Sequence, residues 1–199
     1  MDTLKTQRRD IADKAKKLRR EGYVVGSLFG KEIKNSLLFK VDKLELTKFL
    51  RNNGKGSKIT LDIDGETHIA LIKSIDYDPY KGCINEISMQ ELLKDEVVKS
   101  VAEIVIENRD KVQDGVLQED LTEVSYSALP SDLVDKVIID ASKLKFGDTL
   151  RVKDLDLYKN PKLTVHTNPE AIILSVSASH INEEEEEASE AASASSTVA

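Results

Sequence analysis

The sequence predicts a mainly β protein with some α: a mostly β N-terminal region carrying two helices, a second β-rich region, and a disordered acidic tail. Three observations predict it. Apolar residues recur in short runs, several of period two, and clusters of Gly, Pro, Asn and Asp separate them. Charge divides unevenly: residues 1–91 carry 18 Lys+Arg against 14 Asp+Glu and residues 92–199 carry 11 against 22, in a chain of net charge −7. Residues 183–199 hold six glutamates and no base. With 5% aromatics and no Trp, the cores must be built from Leu, Ile and Val.

Residues 3–8 read as a short strand. Asp10 is a suitable N-cap for a helix over 11–20, which Gly22 stops. Residues 23–29 and 36–41 read as strands joined by a polar turn at Lys31–Asn35. Asp42 caps a second helix with Leu44, Leu46, Phe49 and Leu50 supplying its apolar face, and Asn52-Asn53-Gly54 ends it. Ile59, Leu61 and Ile63 alternate with polar residues before Asp64-Gly65, a strong two-residue turn signal, after which His68–Ile75 returns. Pro79 and Gly82 break that strand before another at Cys83–Met89.

From Val97 the pattern is nearly all β. Val101–Ile106, Thr122–Ser127, Val137–Ile139, Thr149–Val152, Leu163–His166 and Ala171–Ser177 are strand candidates, separated by turn signals at Asp114-Gly115, Leu129-Pro130, Gly147-Asp148 and Asn168-Pro169. The spacing suits a sandwich or a barrel, with one short helix near Pro130–Asp135. After Ile181 the glutamate, serine and alanine run cannot bury enough apolar surface to offset the entropy of ordering it.

Several chemistries find no support. A single cysteine, Cys83, excludes an internal disulfide framework and multi-cysteine zinc motifs. His68, His166 and His180 stand far apart without an HxxxH or HExxH companion. Gly54-Lys55-Gly56-Ser57-Lys58 lacks the spacing of a phosphate-binding loop and follows a helix instead of opening one. Asp76 and Asp78 flank Tyr77 at a turn, where carboxylates ordinarily face solvent. The polar N-terminus is no secretory signal and no apolar run could span a bilayer, so the cytoplasm is the expected compartment. No motif marks an enzyme or requires a cofactor.

The informative stretch is Lys14–Gly30, KAKKLRREGYVVGSLFG, where Lys14, Lys16, Lys17, Arg19 and Arg20 precede a glycine-punctuated apolar strand. A cation-rich helix can simply be a solvated face. Concentrated at one end of an acidic chain, it equally suits a polyanion, nucleic acid first.

The segment Leu18-Arg19-Arg20-Glu21-Gly22 with Phe29-Gly30, and then Pro79-Tyr80-Lys81 with Ile87, resembles the bacterial 5S rRNA-binding large-subunit ribosomal protein family. Within that family, Leu129-Pro130, Asp140, Ser142, Gly147-Asp148 and Asp154-Leu155 resemble the two-domain general stress protein CTC branch. The likeness spans about residues 4–181. The family's Gln, His, Asp and Phe fall here on Asp76, Glu86, Ser88 and Met89, its strand Tyr on Phe29, and its Pro-Ala pair on Val25-Gly26.

The resemblance implies a six-stranded β-barrel with two or more helices over 1–91, a separate β domain over 92–181, and a tail over 182–199. It further implies a non-catalytic constituent of the large ribosomal subunit that docks 5S rRNA through Arg8, Arg9, Lys16, Lys17, Arg19, Arg20, Phe29 and Lys81. The rival is a divergent stress-related paralogue that kept the fold as a protein-interaction module with weak or no rRNA binding. Asp76 and Glu86 favour it, since carboxylates oppose phosphate. The tail glutamates would repel RNA, so truncation after Asn182 is expected to leave 5S rRNA affinity in a filter-binding titration unchanged or slightly higher; abolished binding would give the tail an active role.

Overall fold

A computed structural model of the chain describes residues 2–111 and 115–177. The first region is a closed barrel of six strands: β1 (Thr3–Arg8), β2 (Tyr23–Phe29), β3 (Leu37–Asp42), β4 (Lys58–Ile63), β5 (Glu66–Asp78) and β6 (Cys83–Glu91). Their order around the barrel is β1-β3-β2-β6-β5-β4, and β1 returns to β4 in parallel, with Leu4 opposite Leu61 and Thr6 opposite Ile63. β2 and β6 also run parallel; the remaining neighbours are antiparallel. Alternation places Ile59, Leu61 and Ile63 inside with Leu4, Leu28, Phe39, Ile72, Ile87 and Met89. At the β4–β5 turn, Asp64 (φ 51°) and Gly65 (φ 95°) both take the left-handed conformation that a two-residue hairpin requires.

Two helices pack on the barrel. α2 (Lys43–Leu50) is capped as the sequence suggests: Asp42 Oδ1 accepts from the amides of Leu44 at 2.8 Å and Glu45 at 3.1 Å. Leu46 enters the barrel core and Phe49 and Leu50 pack against it, but Leu44 is 72% exposed. The expected apolar face was one residue too wide, because the helix is short and meets the barrel along a narrow stripe.

α1 is shorter than expected, Ala15–Arg20, and Asp10 does not cap it. Residues 9–13 form a turn of their own. The Arg9 guanidinium donates twice to the Asp13 carbonyl, at 3.2 and 2.8 Å, and the Asp13 amide donates to the Asp10 carbonyl. Lys14 stands at the N-cap without a side-chain bond. Gly22 (φ 90°) ends the helix as expected.

The second region is β-rich. β7 (Val98–Glu107), β9 (Glu123–Ala128), β10 (Lys136–Asp140) and β12 (Thr164–Val165) form one sheet in the order β10-β7-β9-β12. β8 (Val116–Glu119), β11 (Thr149–Arg151) and β13 (Ile172–Ser177) form another, ordered β11-β13-β8. Val124, Tyr126, Ile173 and Leu174 are fully buried in the core these elements share.

β8 was not expected, nor was the short α3 (Asp156–Lys159). The helix expected near Pro130–Asp135 is absent. A turn closes from the Asp132 amide to the Leu129 carbonyl, and the chain then runs past Tyr126. The Tyr126 hydroxyl donates to the Val134 carbonyl at 2.9 Å and accepts from its amide at 2.8 Å, so the backbone polar groups of Val134 satisfy a buried phenol instead of a helical turn.

No ladder among the described strands joins the barrel to the second region, which meet through side chains and loops. Leu71 of β5, Leu92 and Val98 form a small apolar cluster with Leu133 against it. Lys58 Nζ donates to the Pro130 carbonyl at 3.0 Å, and Lys55 Nζ binds both Glu123 carboxylate oxygens. The acidic tail lies outside the described residues.

Gly26 is the tightest point inside the barrel. A Cβ there would stand 2.3 Å from Phe39 Cζ and 2.9 Å from Ile87 Cγ2. Gly26→Ala is therefore expected to cost about 1–3 kcal/mol, read as a lower denaturant midpoint in an equilibrium unfolding titration.

Candidate nucleic-acid interface

The cations of α1 are presented by one buried anchor and one tether. Leu18 is buried where the helix packs against β2, which leaves Lys16, Lys17, Arg19 and Arg20 exposed. The register between β5 and β6 slips between Asp76, opposite Glu86, and Tyr77, opposite Ile84, so Asn85 has no cross-strand partner. Arg19 Nε donates to the Asn85 carbonyl at 3.1 Å, which fixes α1 to a strand it does not otherwise join. Lys17 lies 3.8 Å from Glu21. Among the described residues, Lys16 and Arg20 have no carboxylate partner.

Register supplies the surface beside the helix. Ser27 of β2, Ser88 of β6 and Ser74 of β5 stand in one row, and the hydroxyls of Ser27 and Ser88 are 3.4 Å apart. The next row is Val25, Glu86 and Asp76. Glu86 and Asp76 are thus direct antiparallel partners and both are exposed, an arrangement in which like charges repel. Their adjacency was not apparent from residues 10 positions apart. On the other flank, Lys40 of β3 stands opposite Val25, its ammonium 5.2 Å from the centre of the Tyr23 ring.

The β5–β6 turn completes the surface. Asp78 Oδ1 accepts from the amides of Tyr80 at 3.1 Å and Lys81 at 3.2 Å, and Lys81 Nζ lies 3.2 Å from Asp78 Oδ2. The Lys81 amide, with that ammonium and the Tyr80 amide, holds the Asp78 carboxyl below its usual range. Tyr80 is 98% exposed and Tyr77 56% exposed. Tyr80 in the turn and Tyr77 near the end of β5 thus offer solvated rings, of the kind on which bases stack, near Lys81; neither was among the residues expected at the interface.

The remaining expected residues are placed apart from this surface. Phe29 is 36% exposed, at the far end of β2. Arg8 stands beside Leu37, Ile63, Asp64 and Glu66, at the opposite end of the barrel from the β5–β6 turn, with β3 between its strand and β2. Arg9 spends its guanidinium on the Asp13 carbonyl.

The described residues hold no group of three or more His, Cys, Asp or Glu able to bind a metal. His68 Nδ1 is 2.9 Å from Glu91, and His166 Nε2 is 2.5 Å from the Ser127 hydroxyl. Both are local polar pairs, and neither belongs to a metal-binding group among the described residues. No described helix is long and apolar enough to cross a membrane.

Comparison with known proteins covers both regions. The model of the Ribosomal L25p family matches residues 4–89, and that of the ribosomal protein TL5 C-terminal domain matches residues 97–180. The chain is 30% identical over 173 residues to the large ribosomal subunit protein bL25 of Thermoanaerobacter sp. (strain X514), covering 86% of this chain and 85% of that one. It is 32% identical over 178 residues to bL25 of Finegoldia magna, covering 87% and 84%. With bL25 of Caldanaerobacter subterraneus subsp. tengcongensis it shares 30% over 192 residues, covering 94% and 96%. A six-stranded barrel with a cation-bearing helix on its wall, followed by a second β-rich unit, is therefore the fold of a chain that belongs to the bL25 family of bacterial large-subunit ribosomal proteins, structural and non-enzymatic.

Proposed function

We propose that this protein binds 5S rRNA within the large ribosomal subunit through its N-terminal barrel, as a cytoplasmic, ribosome-associated and non-catalytic component of translation. The functional division is a binding barrel over 1–91 and a second β unit over 92–181. The observation that carries the reading is the set of α1 cations, held on the barrel by Leu18 and by the Arg19–Asn85 bond, with Lys16 and Arg20 left without carboxylates. Structured RNA is recognised largely through shape, phosphates and 2′-hydroxyls, for which guanidinium, ammonium and serine hydroxyl groups suffice. Lys16, Arg20 and the outer nitrogens of Arg19 would meet phosphates. Lys17 would exchange the exposed Glu21 carboxylate for one and Lys81 the largely covered Asp78 carboxylate, and Tyr77 and Tyr80 would stack. Phe29, Arg8 and Arg9 would contribute at the margins. The second unit, with its negative balance, would lie mainly away from the RNA.

The second reading is a stress-related paralogue acting as a protein-interaction module with weak or no rRNA affinity. The observation favouring it is the Asp76–Glu86 pair, which sets two carboxylates side by side next to the basic helix.

A filter-binding titration on isolated 5S rRNA across a salt series separates the two. Three or four phosphate contacts give a slope of log K against log salt of roughly −2 to −4. Replacing Lys16 and Arg20 together by Ala is expected to flatten it by about one to two units without loss of fold by circular dichroism. Asp76→Gln with Glu86→His is expected to strengthen binding. Affinity indifferent to both pairs of changes would overturn the 5S rRNA reading and leave the interaction module ahead.

A further inference from the structure

Beside the seam between the barrel and the second region lies a cleft of about 410 Å³ with apolar walls from β5 and β7. Its polar lining is cationic, although the second region as a whole is acidic. Lys73 enters because of an irregularity in β5. Ile72 pairs with Met89 and Ser74 with Ser88, so Lys73 is an extra residue whose side chain leaves the barrel wall. Its ammonium donates to the Lys99 carbonyl at 2.6 Å, across the seam.

Lys99 lines the same cleft, and among the described residues no carboxylate lies within ion-pair distance of either ammonium. Partial burial, and then the charge of Lys99, lower the Lys73 pKa. Lys55 at the rim is already neutralised by Glu123, and His166 lines the cleft from beyond β12.

Ser100 lies on the buried face of β7, its hydroxyl beside the Tyr126 phenol, and so belongs to the core and not to the cationic lining. Two ammonium groups that line one cleft without a carboxylate repel. One anion between them would relieve that repulsion.

We propose that this cleft binds a phosphate group, held by Lys73 and Lys99 with His166 at its side. A site with apolar walls and a few convergent cations suits a phosphate monoester of nucleotide size, and equally a backbone phosphate of an RNA strand lying along the seam. The site is formed from both regions, so its occupant ties them together. It does not rest on the 5S rRNA reading, whose surface is on α1 and the β5–β6 turn.

Isothermal titration of the full-length chain with inorganic phosphate, at constant ionic strength with chloride as control, tests it. Saturable binding at one site per chain is expected, weakened about tenfold or more in Lys73→Gln with Lys99→Gln, and kept in Lys73→Arg. Lys16→Ala with Arg20→Ala should bind phosphate like the wild type, whatever that variant does to 5S rRNA. Competition by adenosine 5′-monophosphate would identify a free monoester as the source, and competition only by a short RNA lacking terminal phosphate would identify the backbone. No heat beyond the chloride control, or affinity unchanged in the lysine double variant, would overturn the proposal.

Discussion

Closure of the barrel by β1 is the constraint on which the rest of this structure depends. Six N-terminal residues pair in parallel with β4 and antiparallel with β3, so the first strand of the chain joins two strands far from it in sequence. Without that pairing β3 and β4 would each have an open edge, and Leu4 would leave the core it shares with Phe39 and Leu61. The interior is then filled tightly enough that Gly26 has no room for a methyl group against Phe39. Because the wall is closed and rigid, a six-residue helix that would not persist alone can be held on its outside by one leucine and one guanidinium.

That arrangement sets two demands on the same cations. Arg19 serves the fold through the Asn85 carbonyl, and Arg9 serves the turn before α1. A guanidinium has five donors, so Arg19 can hold a carbonyl with Nε and still present its outer nitrogens. Lys17 stands near the exposed Glu21 carboxylate, a surface pair weak enough for a phosphate to displace, and Lys81 near Asp78, whose side chain is only 17% exposed. The fully available charge is therefore smaller than the number of basic residues suggests. Asp76 and Glu86 reduce it further through their field.

The seam between the two units combines polar contacts from Lys55 and Lys58 with the apolar cluster of Leu71, Leu92 and Val98, against which Leu133 packs. Gly56 (φ 88°) lets the barrel loop approach the Val101 carbonyl so closely that a Cβ would stand 1.9 Å from it. Such backbone contact gives a defined geometry without a large hydrophobic interface. The cationic cleft sits beside it, where the irregularity in β5 turns Lys73 out of the wall.

The sequence by itself determined the features whose causes are local. The Asp64-Gly65 hairpin, the Asp42 cap, the Gly22 stop and the alternation of Ile59, Leu61 and Ile63 are each decided by neighbours in the chain. The basic run of α1 and its contrast with an acidic remainder were equally legible, since charge needs no partner to be counted. Tertiary structure decided what depends on register and on distant acceptors. Residues 9–13 left the helix because Arg9 found the Asp13 carbonyl, and residues 130–135 made a single turn and no helix because a buried phenol needed Val134. Asp76 became the neighbour of Glu86, and Arg8 was carried to the far end of the barrel, only when strands paired in a particular order. A hydrogen bond between groups far apart in sequence has no periodicity to announce it, and a slip of one residue in a ladder changes which side chains meet.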